Sequence, residues 1–156
     1  MLPGMGLLTD YFSAASDELA ATALHAPGGP LRADPPFKTV ETKGIEPAVT
    51  LARLATALTG DDYDTVTADP QWCRLVAEDD DEESGLFIGG VADKLTDALA
   101  RADDARLPEV AAQWALAEEF WGYGDPDVLT DVLKQLVELA RHATEQGERL
   151  YTWVCV

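Results

Sequence analysis

The closing octet, "RLYTWVCV" (149–156), constrains the fold more than any other stretch of this chain. Its apolar residues fall on both faces of the strand it forms. Such a strand must be covered on two sides, which places it centrally in a sheet. The segment feeding it reads as a long amphipathic helix. Asp125 caps that helix, Pro126 takes its first turn, and Gly147 ends it. Val128, Leu129, Val132, Leu133, Leu136, Val137, Ala140 and Ala143 recur at helical spacing as a broad inward face. A long helix leading into a two-faced strand calls for helices packed on a sheet.

The rest of the chain supplies both kinds of element. "GLLTDYF" (6–12) and "FKTVE" (37–41) read as strands, and Ser16 caps a helix running to about Leu24. Between them, "APGGPLRADPP" (26–36) is a surface loop and not a linker, because too few residues precede it to form a core. "IEPAVTLARLATALTG" (45–60) has the marks of a helix, with Pro47 in its first turn and Gly60 just past its end. "QWCRLVAE" (71–78) and "GLFIGG" (85–90) flank "EDDDEES" as a hairpin with a solvated tip. "VADKLTDALARA" (91–102) puts Val91, Leu95 and Leu99 on one helix face. In "LPEVAAQWALAEEFW" (107–121) the stripe is Val110, Trp114, Ala117 and Trp121. The expectation is a single α+β domain over residues 1–156, a small mixed sheet of about four strands packed with about five helices, the C-terminal strand central.

Charge limits the partners. A net charge of −18 and a pI near 4.1 exclude an electrostatic grip on nucleic acid or anionic lipid and fit a basic protein partner. Asparagine is absent, with four lysines and two isoleucines, the signature of a GC-rich bacterial genome, so part of the acidity is compositional. No apolar run has the length of a membrane span, and "MLPGMGLLTDYF" lacks the basic and apolar regions of a signal peptide. Cys73 and Cys155 lie far apart, in apolar runs that read as strands, and match no zinc spacing; the expected setting is a reduced cytosol.

Groupings that carry chemistry are scarce. "GDDYDTVTADP" (60–70) fails as an EF-hand, because its sixth position is Thr67 and its twelfth Cys73; it reads as a solvated loop. There is no G-x-S-x-G nucleophile elbow and no phosphate-cradling glycine loop. His25 and His142 sit near helix ends, where the dipole accounts for them; catalysis would need the fold to set one beside Cys73, a serine or a carboxylate. No catalytic, metal or cofactor-binding residue is assigned.

The candidate binding residues lie in "EEFWGYGDPDVL" (118–129): Glu118, Glu119, Phe120, Trp121, Tyr123 and Asp125. Trp121 closes the apolar stripe of the preceding helix and is expected to be structural, with Phe120 and Tyr123 off the stripe. Adjacent helix positions are about 100° apart, so Glu118 and Glu119 cannot both face inward. Exposed aromatics beside acids make an interaction patch or a pocket rim. The expected function is therefore an acidic interaction protein without catalysis, of the immunity or antitoxin kind. The alternative is a small-molecule-binding domain or hydrolase whose pocket is rimmed by Glu119, Trp121 and Tyr123. A convex acidic surface favours the first, and a deep apolar cleft with converging polar groups the second.

The order of "DYF" (10–12), "LTG" (58–60) and "IGG" (88–90), with a long helix running through "EQGERLY" (145–151) into a strand, resembles the YfbM-like family of bacterial proteins. The resemblance implies a small single-domain α+β fold and brings no activity with it. The helix before "LTG" reads "AVTLARLATALTG" (48–60) and lacks the tryptophan and histidine of that family, so no family site is carried over.

Overall fold

The computed structural model describes residues 8–42, 44–81 and 83–155. Five strands, β1 (Leu8–Ala14), β2 (Thr39–Glu41), β3 (Arg74–Glu78), β4 (Phe87–Gly90) and β5 (Arg149–Cys155), form one sheet in the order β2-β1-β5-β4-β3. The expected mixed sheet of about four strands is corrected to five strands, and every pairing is antiparallel. β5 lies in the middle as its apolar faces require, running the length of β1 from Leu8↔Cys155 to Ala14↔Arg149. The 71–90 segment does form the hairpin, β3 with β4, although Cys73 stays outside the strand at a φ of 51°.

Among the described residues six α-helices accompany the sheet: α1 (Asp17–Ala21), α2 (Thr50–Thr59), α3 (Tyr63–Thr67), α4 (Asp93–Ala100), α5 (Leu107–Trp114) and α6 (Pro126–Gln146). Ser16 accepts a hydrogen bond from the Leu19 N–H, and Asp125 one from the Asp127 N–H, so both expected caps are present. Gly60 and Gly147 end α2 and α6 in the left-handed region, where a glycine carries no Cβ penalty. α3 is a correction to the solvated loop expected over 60–70. Asp62 caps it by accepting from the Thr65 N–H, which is enough to wind a short helix.

The sheet separates two cores. Tyr11 and Leu150 face the larger one, built with Leu54, Leu95, Leu99, Leu107, Trp114, Leu133 and Leu136 from four helices. Phe12, Tyr151, Trp153 and Ile88 face a smaller one beneath α1 and the connection that follows it. Within α6, Leu139 is fully buried although it lies off the expected face, while Val128 is 56% exposed. The middle of α6 is enclosed between neighbours; its first turn projects beyond them.

Candidate functional site

α5 stops at Trp114, seven residues before the end its apolar stripe predicts. Tertiary contacts account for the stop. The Trp114 indole N–H donates to the Thr50 carbonyl at 3.1 Å, anchoring α5 on α2. Gly124 then crosses the end of α5 so closely that a Cβ at that position would lie 2.4 Å from the Ala115 carbonyl oxygen. Between these anchors, Glu118–Phe120 makes a single 3-10 turn, followed by Trp121 at φ 54°, ψ 30° and Gly122 at φ 79°.

This path exchanges the expected roles of two aromatics. Phe120, which the stripe left outside, folds back onto Trp114 with ring centroids 5.8 Å apart at 73°. Trp121, expected inside, is 67% exposed. The reason is the early end of the helix: past Trp114 the 3.6-residue period no longer applies, so position 121 loses its place on the stripe. Tyr123 is 85% exposed, as its place between two glycines implies. Glu119 is half-buried and accepts from Arg53 Nε at 2.9 Å, while Glu118 remains exposed. The same Arg53 guanidinium lies 4.4 Å over the Tyr63 ring, which fixes its position. Asp125 is committed to capping α6, its carboxylate at the rim.

Two clefts meet at Trp121. One, of about 740 Å³, is lined by Glu119, Phe120, Trp121, Tyr123 and Asp125 together with Ile45 and Val128. The other, of about 640 Å³, takes in Glu118 with Glu46, Val49 and Leu116. Gly44, Glu119 and Trp121 line both, so the indole stands as a ridge between two grooves. All six sequence-derived residues thus meet at one corner. No described lysine or arginine lines either cleft. Leu116, 84% exposed, and Val128 extend the apolar surface on either side. Leu116 lies off the Val110–Trp114 stripe, a signal that could have marked it; the wall from Gly44 to Val49 is brought there only by the fold.

A left-handed backbone at a bulky residue costs about 1 to 2 kcal/mol. Elsewhere in the chain burial could compensate, but the Trp121 side chain packs little and leaves two-thirds of its surface in solvent.

The other candidate groups lie away from this corner. His25 approaches Asp79 at 3.2 Å, and His142 stands 3.7 Å from Glu148, which also accepts from Ser13. Each histidine therefore does have a carboxylate neighbour. Cys73 and Cys155 are free, and burial, with Glu46 nearby, pushes the Cys73 thiol above its ordinary range, away from the reactive thiolate. Among the described residues no cluster of three or more histidines, cysteines or carboxylates has a geometry to hold a metal ion, and no helix is long and apolar enough to cross a membrane.

Fold and corner define the class: an α+β protein with a five-stranded antiparallel sheet and an acidic, aromatic junction between two helices. Among solved structures the chain is similar to that of YfbM from Escherichia coli, a protein of unknown function, at 14% identity and a TM-score of 0.43, over 96% of this chain and 99% of that one. No protein-family model matches the chain, and no curated protein matches it.

Proposed function

We propose that this is a non-catalytic interaction protein, of the immunity or antitoxin kind, which docks a basic protein partner on the corner formed by Leu116, Trp121, Tyr123 and Val128. The observation that carries this reading is Trp121: a strained backbone holds a large apolar side chain mostly out in water, where it gains little from packing. Aromatic residues at the centre of an apolar patch are the usual energetic anchors of protein interfaces. The partner's chemistry follows from the rim. Glu118, Asp125 and Asp127 are exposed around the patch, within a protein of net charge −18. A complementary surface would offer apolar side chains to the grooves flanking Trp121 and lysine or arginine to the rim. The aromatics protrude and the polar groups do not converge on a deep cavity, which favours a protein over a small molecule here.

The test compares the wild type with a Trp121→Ala/Tyr123→Ala variant in capturing a partner from the source cell, followed by binding measurements on the purified pair. Expected is a basic partner that the variant loses and whose association with the wild type slows as salt rises. A purified partner that binds both forms equally would refute the assignment of this face.

A further inference from the structure

At the opposite end of α6 a third groove, of about 720 Å³, forms where β1 ends against the 26–38 connection and the α6–β5 junction. Its charge pattern differs from that of the corner. Arg32 and Lys38 line it, and neither makes an ion pair among the described residues. Asp34 and Glu148 line it too, so the groove is locally neutral within a protein of net charge −18. Ser13 holds the two sides in register. Its N–H donates to the Lys38 carbonyl at 3.1 Å, and its buried hydroxyl donates to Glu148 Oε1 at 2.6 Å. His142 Nε2 lies 3.7 Å from the same oxygen, which leaves Oε2 without a hydrogen bond among the described residues. One wall is apolar, with Leu19 half exposed and Phe37 packed edge-on against Phe12.

We propose that this groove binds a free α-amino acid with an apolar side chain. The ammonium meets Glu148, the carboxylate meets Lys38 and Arg32, and the side chain lies along Leu19 and Phe37. A small anion would be repelled by the protein's overall field, and a small cation would have no use for the two basic side chains. A zwitterion carries no net charge, so the overall field does little to it and the local pattern of paired opposite charges decides the affinity. A mainly apolar wall with few placed polar groups is the usual construction of a small-ligand site. This site is independent of the corner surface.

The experiment is isothermal titration of the full chain at neutral pH with L-phenylalanine and L-leucine. 3-Phenylpropionate and 2-phenylethylamine, each lacking one of the two charges, serve as comparisons. Both amino acids should bind saturably, and each comparison compound should bind at least about tenfold more weakly, the consequence of losing one of the two charge-assisted contacts. Lys38→Ala and Glu148→Gln should each weaken binding by about tenfold or more. Glu148→Gln keeps an oxygen to accept from Ser13, and its melting curve checks the fold. Should that variant fail to fold, Lys38→Ala decides alone, since Lys38 is exposed. Absence of binding by both amino acids at millimolar concentration overturns the proposal. Equal binding by a compound lacking either charge overturns it as well, as does undiminished binding by the folded variants.

Discussion

Replacing Asp10 by asparagine should make this protein more stable at neutral pH, and the structure gives both the sign and the size. Asp10 lies on β1 opposite Trp153 of β5 and Glu41 of β2. The 28–29 turn closes over it so tightly that a Cβ on Gly29 would lie 3.0 Å from Asp10 Oδ2. Only 5% of the residue is exposed, and its carboxylate has no hydrogen-bond partner among the described residues. Burial, assisted by the Glu41 charge, raises its pKa from 3.8 to about 6. The folded state therefore keeps a proton that the unfolded chain releases between those values. The stability associated with Asp10 is fully present below pH 3.8 and is lost as pH rises through about 6. At 1.36 kcal/mol per pH unit the shift caps the cost of the ionised form at neutral pH at about 3 kcal/mol, and solvent reaching the carboxylate reduces it to about 1 to 2 kcal/mol. An asparagine side chain in its place would carry no such charge. Denaturant unfolding of both forms from pH 4 to pH 8 should show Asp10→Asn gaining about 1 to 2 kcal/mol on the wild type as pH rises through about 6, then holding level. Subtracting the two curves removes the other carboxylates. Among them is Asp17, held at about 2 by Arg74 and Tyr151, whose stabilising contribution is lost as pH falls towards that value. A difference that is flat with pH, or a variant less stable at pH 7.5 than at pH 4 relative to wild type, would show that Asp10 has a partner and refute the reasoning.

Four further outcomes follow from the contacts described. Trp114→Ala should cost about 3 to 5 kcal/mol in denaturant unfolding, because the indole is buried and hydrogen-bonded; Trp121→Gly, which relieves a left-handed backbone, should leave stability unchanged or raise it by up to about 1 kcal/mol. Gly124→Ala should cost about 1 to 3 kcal/mol and alter the fluorescence of Trp121, since the added methyl meets the Ala115 backbone and not a movable side chain. Deleting residues 150–156 removes the central strand and should abolish cooperative thermal unfolding, where a frayed terminal strand would leave the transition intact.

Much of the fold was legible because it rests on local periodicity. Both faces of β5 are apolar in the sequence, and that alone places it inside the sheet. The caps at Ser16, Asp125, Gly60 and Gly147 are likewise written in single residues whose chemistry acts over a few positions. The candidate site was legible as a place, since aromatic and acidic residues cluster between two glycines and an Asp-Pro. Its arrangement was not. Helical spacing assigned Trp121 to the core and Phe120 to the surface, an inference valid only while the helix continues. Whether α5 ran to residue 114 or to 121 depended on Thr50, Arg53 and Gly124, which come from other parts of the chain. Asp10 shows the same division. The sequence presents an aspartate in an apolar strand, but the turn that folds over it and the Glu41 charge on the neighbouring strand, which raise its pKa, come from elsewhere in the chain. The sequence by itself determined most of the helices and strands and which strand lies innermost, because those outcomes follow from neighbours a few residues apart. The tertiary structure decided where α5 ends, which aromatic faces the solvent and which carboxylate has its pKa raised, because each depends on contacts between residues distant in the chain.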